Sequence, residues 1–407
     1  MGRYYIGVDW ADKVHEVCVI DEAGEKVVQR KVEETAEGMG EFGRWLDERR
    51  AEGMELWAAI EKPDGRIVDL LLDHGAVVYP INPKALDRVR DRFRQSHSKS
   101  DPFDAWVLAE FLRTDHGHLK TLRPNSDKAQ ELKILTQDHL RLVRSQSRLL
   151  NQLRITLKEY YPRPLEVFED LTTQIALDFL QHYPTPEALS KLSQKQCRRF
   201  AREHHLGEQR QGELWQKLSK PQLRIPEHVV RAKSRLVEVL VEELKVVVRN
   251  VDRYQKEVER FFASLPAAKL LEKLPGGKSG TIVPMLWAHV GDAEGRWESF
   301  GQLQAQAGTV PVTKKSGRSQ VVCFRYACNQ QLRYAVYWLA FISLRQSEWA
   351  RAYYDKQRAR GHSHHRALRA LGAKWLKILF VIWRDHVPYD ETYHLANIAR
   401  QYLRHAA

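Results

Sequence analysis

The sequence has few cysteines and no long apolar run. Four cysteines in 407 residues, Cys18, Cys197, Cys323 and Cys328, are too few for a disulfide scaffold. The pair at 323 and 328 has no second pair to complete a zinc site, so we expect four reduced thiols. The longest uncharged apolar run, 334–344, is shorter than the roughly 20 residues of a membrane span. It predicts a buried helix, with no membrane partner.

Acidic residues are also in short supply. The chain carries 52 Asp and Glu against 65 Lys and Arg, a formal net charge of +13. This surplus favours a polyanion partner, nucleic acid first, although a generically basic protein is the alternative on charge alone. The 43% hydrophobic content excludes a wholly disordered chain, and the length predicts two or three domains. The first residues lack a signal h-region, so we expect a cytoplasmic protein.

The first 120 residues predict alternating strands and helices. Three short apolar runs, 4–8, 16–20 and 26–32, predict an antiparallel meander. A helix around Met39–Leu46, a strand at 56–60, a helix at 66–74, a strand at 76–81 and a helix from Pro102 to about Leu112 follow. Three antiparallel strands followed by alternating helices and strands is the order of an RNase H-like fold.

The middle of the chain has helical periodicity. Between 129 and 161, leucines recur every seven residues at Leu135, Leu142 and Leu149, and a more polar row lies three residues earlier. Between 229 and 262, apolar residues keep two rows for more than four heptads. This pattern predicts a coiled coil or a long helical hairpin. The stretch between Pro162 and Pro226 predicts short amphipathic helices.

Two motifs invite ligand sites that we reject or leave open. The segment Leu274–Gly280 contains Gly-Lys-Ser, but Glu272 stands where a phosphate loop needs glycine. Its turn either offers backbone N–H groups to a DNA phosphate or simply connects two helices. The histidines at 362, 364 and 365 lie among arginines, whose charge would repel a cation, so a solvated basic segment is the preferred interpretation.

Four carboxylates occur where an open sheet would gather them. Asp9 follows the first strand, Glu61 follows the strand at 56–60, and Asp101 and Asp104 begin a helix with i,i+3 spacing. Four acidic groups repel one another unless divalent cations lie between them, which predicts a Mg²⁺ site with Asp9, Glu61, Asp101 and Asp104 as ligands. A turn-forming Asp9 and a helix-capping Asp104 are the simpler alternatives for single residues.

The stretch before Asp101 is strongly basic. Six cations, with Phe93 among them, oppose only two acidic residues: Lys84, Arg88, Arg90, Arg92, Arg94 and Lys99 against Asp87 and Asp91. We interpret this stretch as a basic arm that contacts the phosphate backbone. A solvated helix face is the alternative.

These motifs together resemble a known family. The segments Gly7-Val8-Asp9-Trp10-Ala11, Ile60-Glu61, Lys99-Ser100-Asp101-Pro102-Phe103-Asp104-Ala105, Ala307-Gly308-Thr309-Val310-Pro311 and Ser316-Gly317 look like the DEDD transposases of insertion-sequence family one-ten, the bridge-RNA-guided recombinases. The resemblance implies an α/β plus α chain with three domains. These are a RuvC-like DEDD domain at 1–120, a helical coiled-coil region at 121–265 and a mainly helical C-terminal transposase domain at 266–407.

The resemblance also implies a division of chemistry. The four carboxylates would be metal ligands, and Ser316 would attack the DNA backbone and leave a covalent phosphoserine. Lys314, Lys315 and Arg318 surround this serine and would hold the phosphate, while Ser319 is the local competitor. A polar hairpin turn is the simpler interpretation of the segment. Arg325, Arg333 and the basic run 358–377 are further candidates for nucleic-acid contacts.

The family's partners are donor and target double-stranded DNA and a structured guide RNA, and the coiled coil implies a homo-oligomer, a dimer or tetramer. Two alternatives stay open at this point. A metal-dependent RuvC-like junction nuclease would need the carboxylates but no serine, and a non-catalytic RNA-binding scaffold would need neither. An actin-like ATPase would need a second glycine-rich phosphate loop, and the sequence has none.

Overall fold

The alternating apolar residues near the start of the chain fold into one sheet of five strands. In the computed structural model, which describes residues 2–93, 100–317 and 319–406, the strands are β1 Arg3–Asp9, β2 Val14–Ile20, β3 Lys26–Glu33, β4 Glu55–Ile60 and β5 Val77–Pro80. Their order is β3-β2-β1-β4-β5, with β1, β2 and β3 antiparallel and β1, β4 and β5 parallel. All five predicted strands are therefore present.

The helices of this part are α1 Ala36–Ala51, α2 Arg66–Asp73, α3 Pro83–Phe93 and α4 Asp101–Asp115. Helix α1 connects β3 to β4, α2 is the crossover between the parallel strands β4 and β5, and α3 and α4 follow the last strand. Helix α3 corresponds to the alternative interpretation of this stretch, a helix face, whereas its charged residues favoured a basic arm. It buries Leu86 and Val89, and the apolar spacing of three residues makes it amphipathic. Residues 1–124 form one compact unit, and residues 125–407 form a second.

Gly7 sets the distance between β1 and helix α4. A Cβ atom on Gly7 would lie 1.9 Å from the carbonyl oxygen of Ala105 and 2.6 Å from the amide nitrogen of Ala109. Both of these neighbours are backbone atoms, which cannot rotate away. The strand that ends in Asp9 and the helix that begins at Asp101 approach this closely only because residue 7 has no side chain.

Gly7→Ala should therefore push α4 away from the sheet. We expect it to lower the free energy of unfolding by at least about 2 kcal/mol, measured by urea denaturation. Gly40→Ala in α1 is the matched control, because a Cβ there meets nothing within 4 Å. That control should gain about 0.5–1 kcal/mol from its better helix propensity. Equal stability of the two variants would contradict the close approach.

Two long helices, α5 Asp127–Tyr160 and α11 Glu227–Ala263, pack against each other in the second unit. In α11, the predicted seam residues Val237, Leu240 and Leu244 are buried. In α5, the more polar row is the better buried one: His139 and Tyr160 are covered, and the Tyr160 hydroxyl donates to the Pro184 carbonyl over 2.6 Å. This hydrogen bond accounts for a polar group at Tyr160, whereas Nε2 of His139 is buried without a hydrogen-bond partner. The partner of the seam thus lies within the chain.

Five short helices lie between the two long ones, as predicted: α6 Arg163–Val167, α7 Gln174–His182, α8 Pro186–Ser190, α9 Gln194–Glu203 and α10 Glu208–Leu218. They share one apolar core with the ends of α5 and α11 that face them. No helix in the described part of the chain is long and apolar enough to cross a membrane.

The last part of the chain is helical apart from one hairpin. Its helices are α12 Pro266–Leu271, α13 Ile282–Val290, α14 Phe300–Gln306, α15 Gln330–Gln346, α16 Glu348–Ala359, α17 His364–Asp385 and α18 Glu391–Ala406. The predicted buried helix at 334–344 is part of α15. Strands β6 Val312–Ser316 and β7 Ser319–Cys323 form a two-stranded antiparallel sheet, and most of their side chains are exposed.

Candidate active site

Asp9 and Glu61 lie side by side at one edge of the sheet. Strands β1 and β4 are parallel neighbours in which Val8 is opposite Ile60. Asp9 is the last residue of β1, and Glu61 comes directly after β4. The next position along each strand therefore carries a carboxylate, and both are partly buried. This is the juxtaposition that the strand order predicts.

Asp101 and Asp104 begin α4, which packs against β1. Close contact at Gly7 fixes one side of the helix, and Gln29 of β3 donates from Nε2 to the Pro102 carbonyl over 2.9 Å. Asp101 is exposed, whereas Asp104 is buried. The first turn of α4 is thereby held at the sheet edge that carries Asp9.

The electrostatics of Asp9 show that the four carboxylates share one region. Burial and the negative charges of Asp104, Asp101 and Glu61 raise the pKa of Asp9 to about 6, against a small opposing effect of Arg90. Among the described residues, no three carboxylate, imidazole or thiol groups stand close enough to surround one metal ion. The carboxylates are gathered, but they do not form a closed ligand sphere.

Arg90 accounts for part of this openness. Its Nε donates to Oδ1 of Asp104 over 2.6 Å, and its Nη1 donates to Asp87 over 2.6 Å. The side chains of Arg90 and Asp104 are 9% and 12% exposed, so the pair is largely shielded from water. Arg90 is thus a counter-ion for Asp104, not a free cation of the basic arm. Sequence reasoning missed this role because the partners are 14 residues apart.

Arg90→Lys should separate the two roles of this side chain. Lysine keeps the positive charge but does not reach both carboxylates with a planar guanidinium. We expect it to lower the free energy of unfolding by about 1–2 kcal/mol in EDTA, measured by urea denaturation. Arg88→Lys on the exposed face of the same helix is the control and should change it by less than about 0.5 kcal/mol. An equal effect of both changes would contradict the buried pair.

A second network, not predicted from the sequence, fixes the turn after Asp9. The imidazole of His15 is fully buried; its Nδ1 accepts from the amide of Ala11 over 3.3 Å, and its Nε2 bonds to Glu34. Burial would raise the pKa of Glu34, but hydrogen bonds from Arg66 and His15 outweigh it and lower the pKa. A histidine directly before a predicted strand gave no sign of this role. The network orients the chain immediately after Asp9.

Ser316 lies in the predicted hairpin turn. It is the last residue of β6 and pairs with Ser319, the first residue of β7. Gly317 has φ of +53°, the left-handed conformation that glycine adopts without strain in such turns. Ser316, Lys314 and Lys315 are exposed, so this hydroxyl and both ammonium groups are accessible to a large substrate. The candidate Arg318 lies outside the described residues.

Two predicted nucleic-acid contacts, Arg325 and Arg333, brace the base of this hairpin. Arg325 donates from Nε to the carbonyl of Val310 over 3.2 Å, and Arg333 donates from Nη2 to the carbonyl of Arg325. Arg333 also fills the space beside Gly308, where a Cβ atom would lie 2.2 Å from its Nη2. Both guanidinium groups therefore hold the two ends of the hairpin together.

The other predicted contacts divide between exposed and undescribed positions. Arg88 and Arg92 are exposed on α3, as a nucleic-acid contact requires. Arg94 and Lys99 lie outside the described residues.

In the glycine-rich segment between α12 and α13, the amide of Gly276 donates to Gln346 over 2.9 Å and that of Gly280 donates to Glu259 over 2.6 Å. These amides have internal partners, which favours the plain interhelical turn.

Comparisons with known proteins match both of these regions. A family profile described as "Transposase" matches residues 6–162, which include the four carboxylates. A second profile, "Transposase IS116/IS110/IS902 family", matches residues 268–355, which include Ser316. Both matched regions therefore define the same class of protein, and the chain is a transposase.

Relatives along the whole length specify the family. The chain is 30% identical over 401 residues to the "Mini-circle putative transposase for IS117" of Streptomyces coelicolor, with 95% of each protein covered. It is 24% identical over 390 residues to the "Insertion element IS900 uncharacterized 42 kDa protein" of Mycobacterium paratuberculosis, covering 95% of this chain and 96% of that protein. The chain belongs to the IS110/IS116 family of transposases.

Proposed function

We propose that this transposase cuts and exchanges DNA strands by serine chemistry, assisted by Mg²⁺ at the four carboxylates and guided by RNA. The observation that carries the proposal is geometric: Asp9 and Glu61 end neighbouring parallel strands, and Asp101 and Asp104 begin the helix that packs against β1. The strand order β3-β2-β1-β4-β5 supports an RNase H-like, RuvC-type domain around it. The exposed Ser316 supplies the nucleophile.

The carboxylates fit a hard divalent cation in chemistry and charge. Oxygen donors of this type are the ligands that Mg²⁺ prefers. Burial, followed by the negative charges of the three neighbouring carboxylates, raises the pKa of Asp9 to about 6, and a bound cation would offset both effects. The ion would be held by Asp9, Glu61, Asp101 and Asp104. Asp104 would then give up its hydrogen bond with Arg90 and bind the ion instead. When bound, Mg²⁺ would polarise a scissile phosphate and make it a better electrophile.

The residues of the hairpin perform the covalent step in this proposal. The Ser316 Oγ forms a bond to phosphorus, and the bond from phosphorus to a deoxyribose oxygen breaks. The departing oxygen gains a proton, and the serine hydroxyl loses one, so charge and atoms balance. Lys314 and Lys315 hold the phosphate oxygens. A deoxyribose hydroxyl of another strand reverses the step and joins the new ends, so no ATP is needed.

Partners follow from the same proposal. The net charge of +13 supports binding to both DNA and a structured guide RNA, to which sequence recognition would be delegated. Donor and target DNA must be held together during exchange, so we propose a homo-oligomer, a dimer or tetramer. Exposed Arg88 and Arg92 are suited to contact the phosphate backbone.

A covalent adduct is the direct test. The full chain, purified with its RNA, would be incubated with end-labelled junction DNA of its insertion element in Mg²⁺ or in EDTA and separated on a denaturing gel. We expect a protein-linked label in Mg²⁺ alone, lost after ribonuclease treatment. Free cleaved DNA with no adduct would instead establish a hydrolytic nuclease.

That junction nuclease is the second candidate, and one observation favours it. No side chain among the described residues forms a hydrogen bond with the Ser316 hydroxyl, so the isolated hairpin supplies no general base. The carboxylates alone would suffice for metal-dependent hydrolysis. The adduct experiment separates the two candidates.

A further inference from the structure

An exposed aromatic pair follows directly after β7. The rings of Phe324 and Tyr326 meet edge to face with centroids 4.9 Å apart. Phe324 is half-buried, whereas Tyr326 is 77% exposed, the most exposed of the large hydrophobic side chains described. Packing within the chain does not account for a tyrosine in this position. Its ring is available to a ligand.

Arginines surround the same pair. The guanidinium carbons of Arg333 and Arg369 each lie 4.6 Å from the centre of the Phe324 ring, within the range of cation–π contacts. Burial lowers the pKa of Arg369, and the positive charges of Arg333 and Arg366 lower it further. Among the described residues, no carboxylate forms an ion pair with Arg333, Arg366 or Arg369. The cluster thus concentrates positive charge that lacks a protein counter-ion.

An exposed ring beside guanidinium groups that have no carboxylate partner among the described residues suits one ligand chemistry. Bases that have left the duplex stack on aromatic side chains, while arginines pair with the neighbouring phosphates. A fully paired duplex keeps its bases inside and offers phosphates alone. The ring is therefore the feature that distinguishes an unpaired nucleotide from plain duplex DNA.

The position along the hairpin relates this cluster to Ser316. Ser316 is four positions along β6 from Val312, which pairs with Cys323, the residue before Phe324. At about 3.3 Å per residue this is about 13 Å. At about 3.4 Å of rise per nucleotide, this length corresponds to about four stacked nucleotides of one DNA strand. A strand attacked by Ser316 would thus reach the ring within a few nucleotides.

We propose that Phe324, Tyr326, Arg333 and Arg369 form a stacking site for an unpaired nucleotide of the DNA strand that Ser316 attacks. The inference rests on the proposed function, because the serine determines which strand is meant. It adds a binding site to that function. The base stacks on Tyr326, and the flanking phosphates neutralise Arg333 and Arg369. Capture of an unpaired base would hold the strand open beside the scissile phosphate.

The test measures binding without chemistry. The full chain carrying Ser316→Ala would be titrated into a DNA duplex with one bulged 2-aminopurine, whose fluorescence falls when it stacks. We expect quenching, and Tyr326→Ala should abolish it and weaken binding of the bulged duplex by 5- to 100-fold. Tyr326→Phe should retain both signals, because the ring remains. Arg369→Gln should weaken binding while keeping part of the quenching.

The matched control is Tyr393→Ala, which removes another exposed tyrosine, on α18. It should leave quenching and affinity unchanged. Equal affinity of Tyr326→Ala and Tyr326→Phe for the bulged duplex would overturn the site. So would an effect confined to an RNA of the same sequence, which would assign the ring to RNA. Quenching without any adduct in the wild type would retain the site and reject the serine chemistry.

Discussion

Replacing Ser316 with alanine should abolish the protein–DNA adduct and reduce strand exchange by on the order of 10³-fold or more. The variant lacks the oxygen that would bond to phosphorus in the proposed mechanism. Ser316 is exposed, so its loss should leave the free energy of unfolding within about 0.5 kcal/mol of wild type. Denaturing electrophoresis with labelled junction DNA measures the adduct, and urea denaturation measures the stability.

Ser319 supplies the control for this experiment. It faces Ser316 across the turn and is equally exposed, so Ser319→Ala removes a hydroxyl of the same chemistry at the neighbouring position. We expect Ser319→Ala to retain the adduct. An adduct that persists in Ser316→Ala and disappears in Ser319→Ala would assign the nucleophile to Ser319. An adduct that persists in both would reject serine chemistry at this hairpin.

Asp9→Asn should have opposite effects on activity and on stability. Loss of the central carboxylate should reduce Mg²⁺-dependent cleavage by at least about 100-fold, since the remaining oxygens hold the ion less well. In EDTA at pH 7.5, the same change should raise the free energy of unfolding by about 1–3 kcal/mol. Asparagine fills the same space without adding a charge to three neighbouring carboxylates.

The pH dependence follows from the sign of the shift. Because the pKa of Asp9 is raised to about 6 in the folded protein, its ionisation costs stability as the pH rises through 6. Below about pH 4 Asp9 is neutral in both the folded and the unfolded state, so the advantage of asparagine should vanish there. Thermal denaturation in EDTA at several pH values measures this trend.

Mg²⁺ provides the complementary measurement. It should stabilise the wild type and narrow its difference from Asp9→Asn, because the ion binds the folded state only. The exposed residue Asp12, three positions further on, gives the control variant Asp12→Asn, which should follow the wild type at every pH. A variant Asp9→Asn that is less stable than wild type at pH 7.5 in EDTA would contradict the electrostatic account of the site.

The strand order was predictable because alternation in short runs is a local signal. Asp9 and Glu61 could be paired from sequence alone, since parallel neighbours end at one edge. Helix α3 was only the alternative interpretation because nearly every other residue carries charge, and the buried Leu86 and Val89 are few. The pair of Arg90 with Asp104 could not be predicted. The pattern of charges in the sequence does not indicate which cationic side chain is buried.

The hairpin also has some features that the sequence predicts and others that it does not. Its turn was predictable from Ser316, Gly317 and the flanking cations, which are local features. The roles of Arg325 and Arg333 could not be predicted, because each donates to a backbone carbonyl. Every residue has such a carbonyl, so the sequence does not indicate which one an arginine will contact. Sequence reasoning counted both as free charges for nucleic acid. The structure gives each an intramolecular partner as well.

The hairpin that carries Ser316 has a thermodynamic consequence. Its two strands are joined to no other strand of the described chain, and most of their side chains face water. A sheet of two strands is marginally stable by itself, so this hairpin depends on the hydrogen bonds of Arg325 and Arg333 at its base. Contact with a phosphate backbone would stabilise the ordered hairpin further. In the proposed mechanism, Ser316 would then become ordered when DNA binds, which would limit its attack on other molecules.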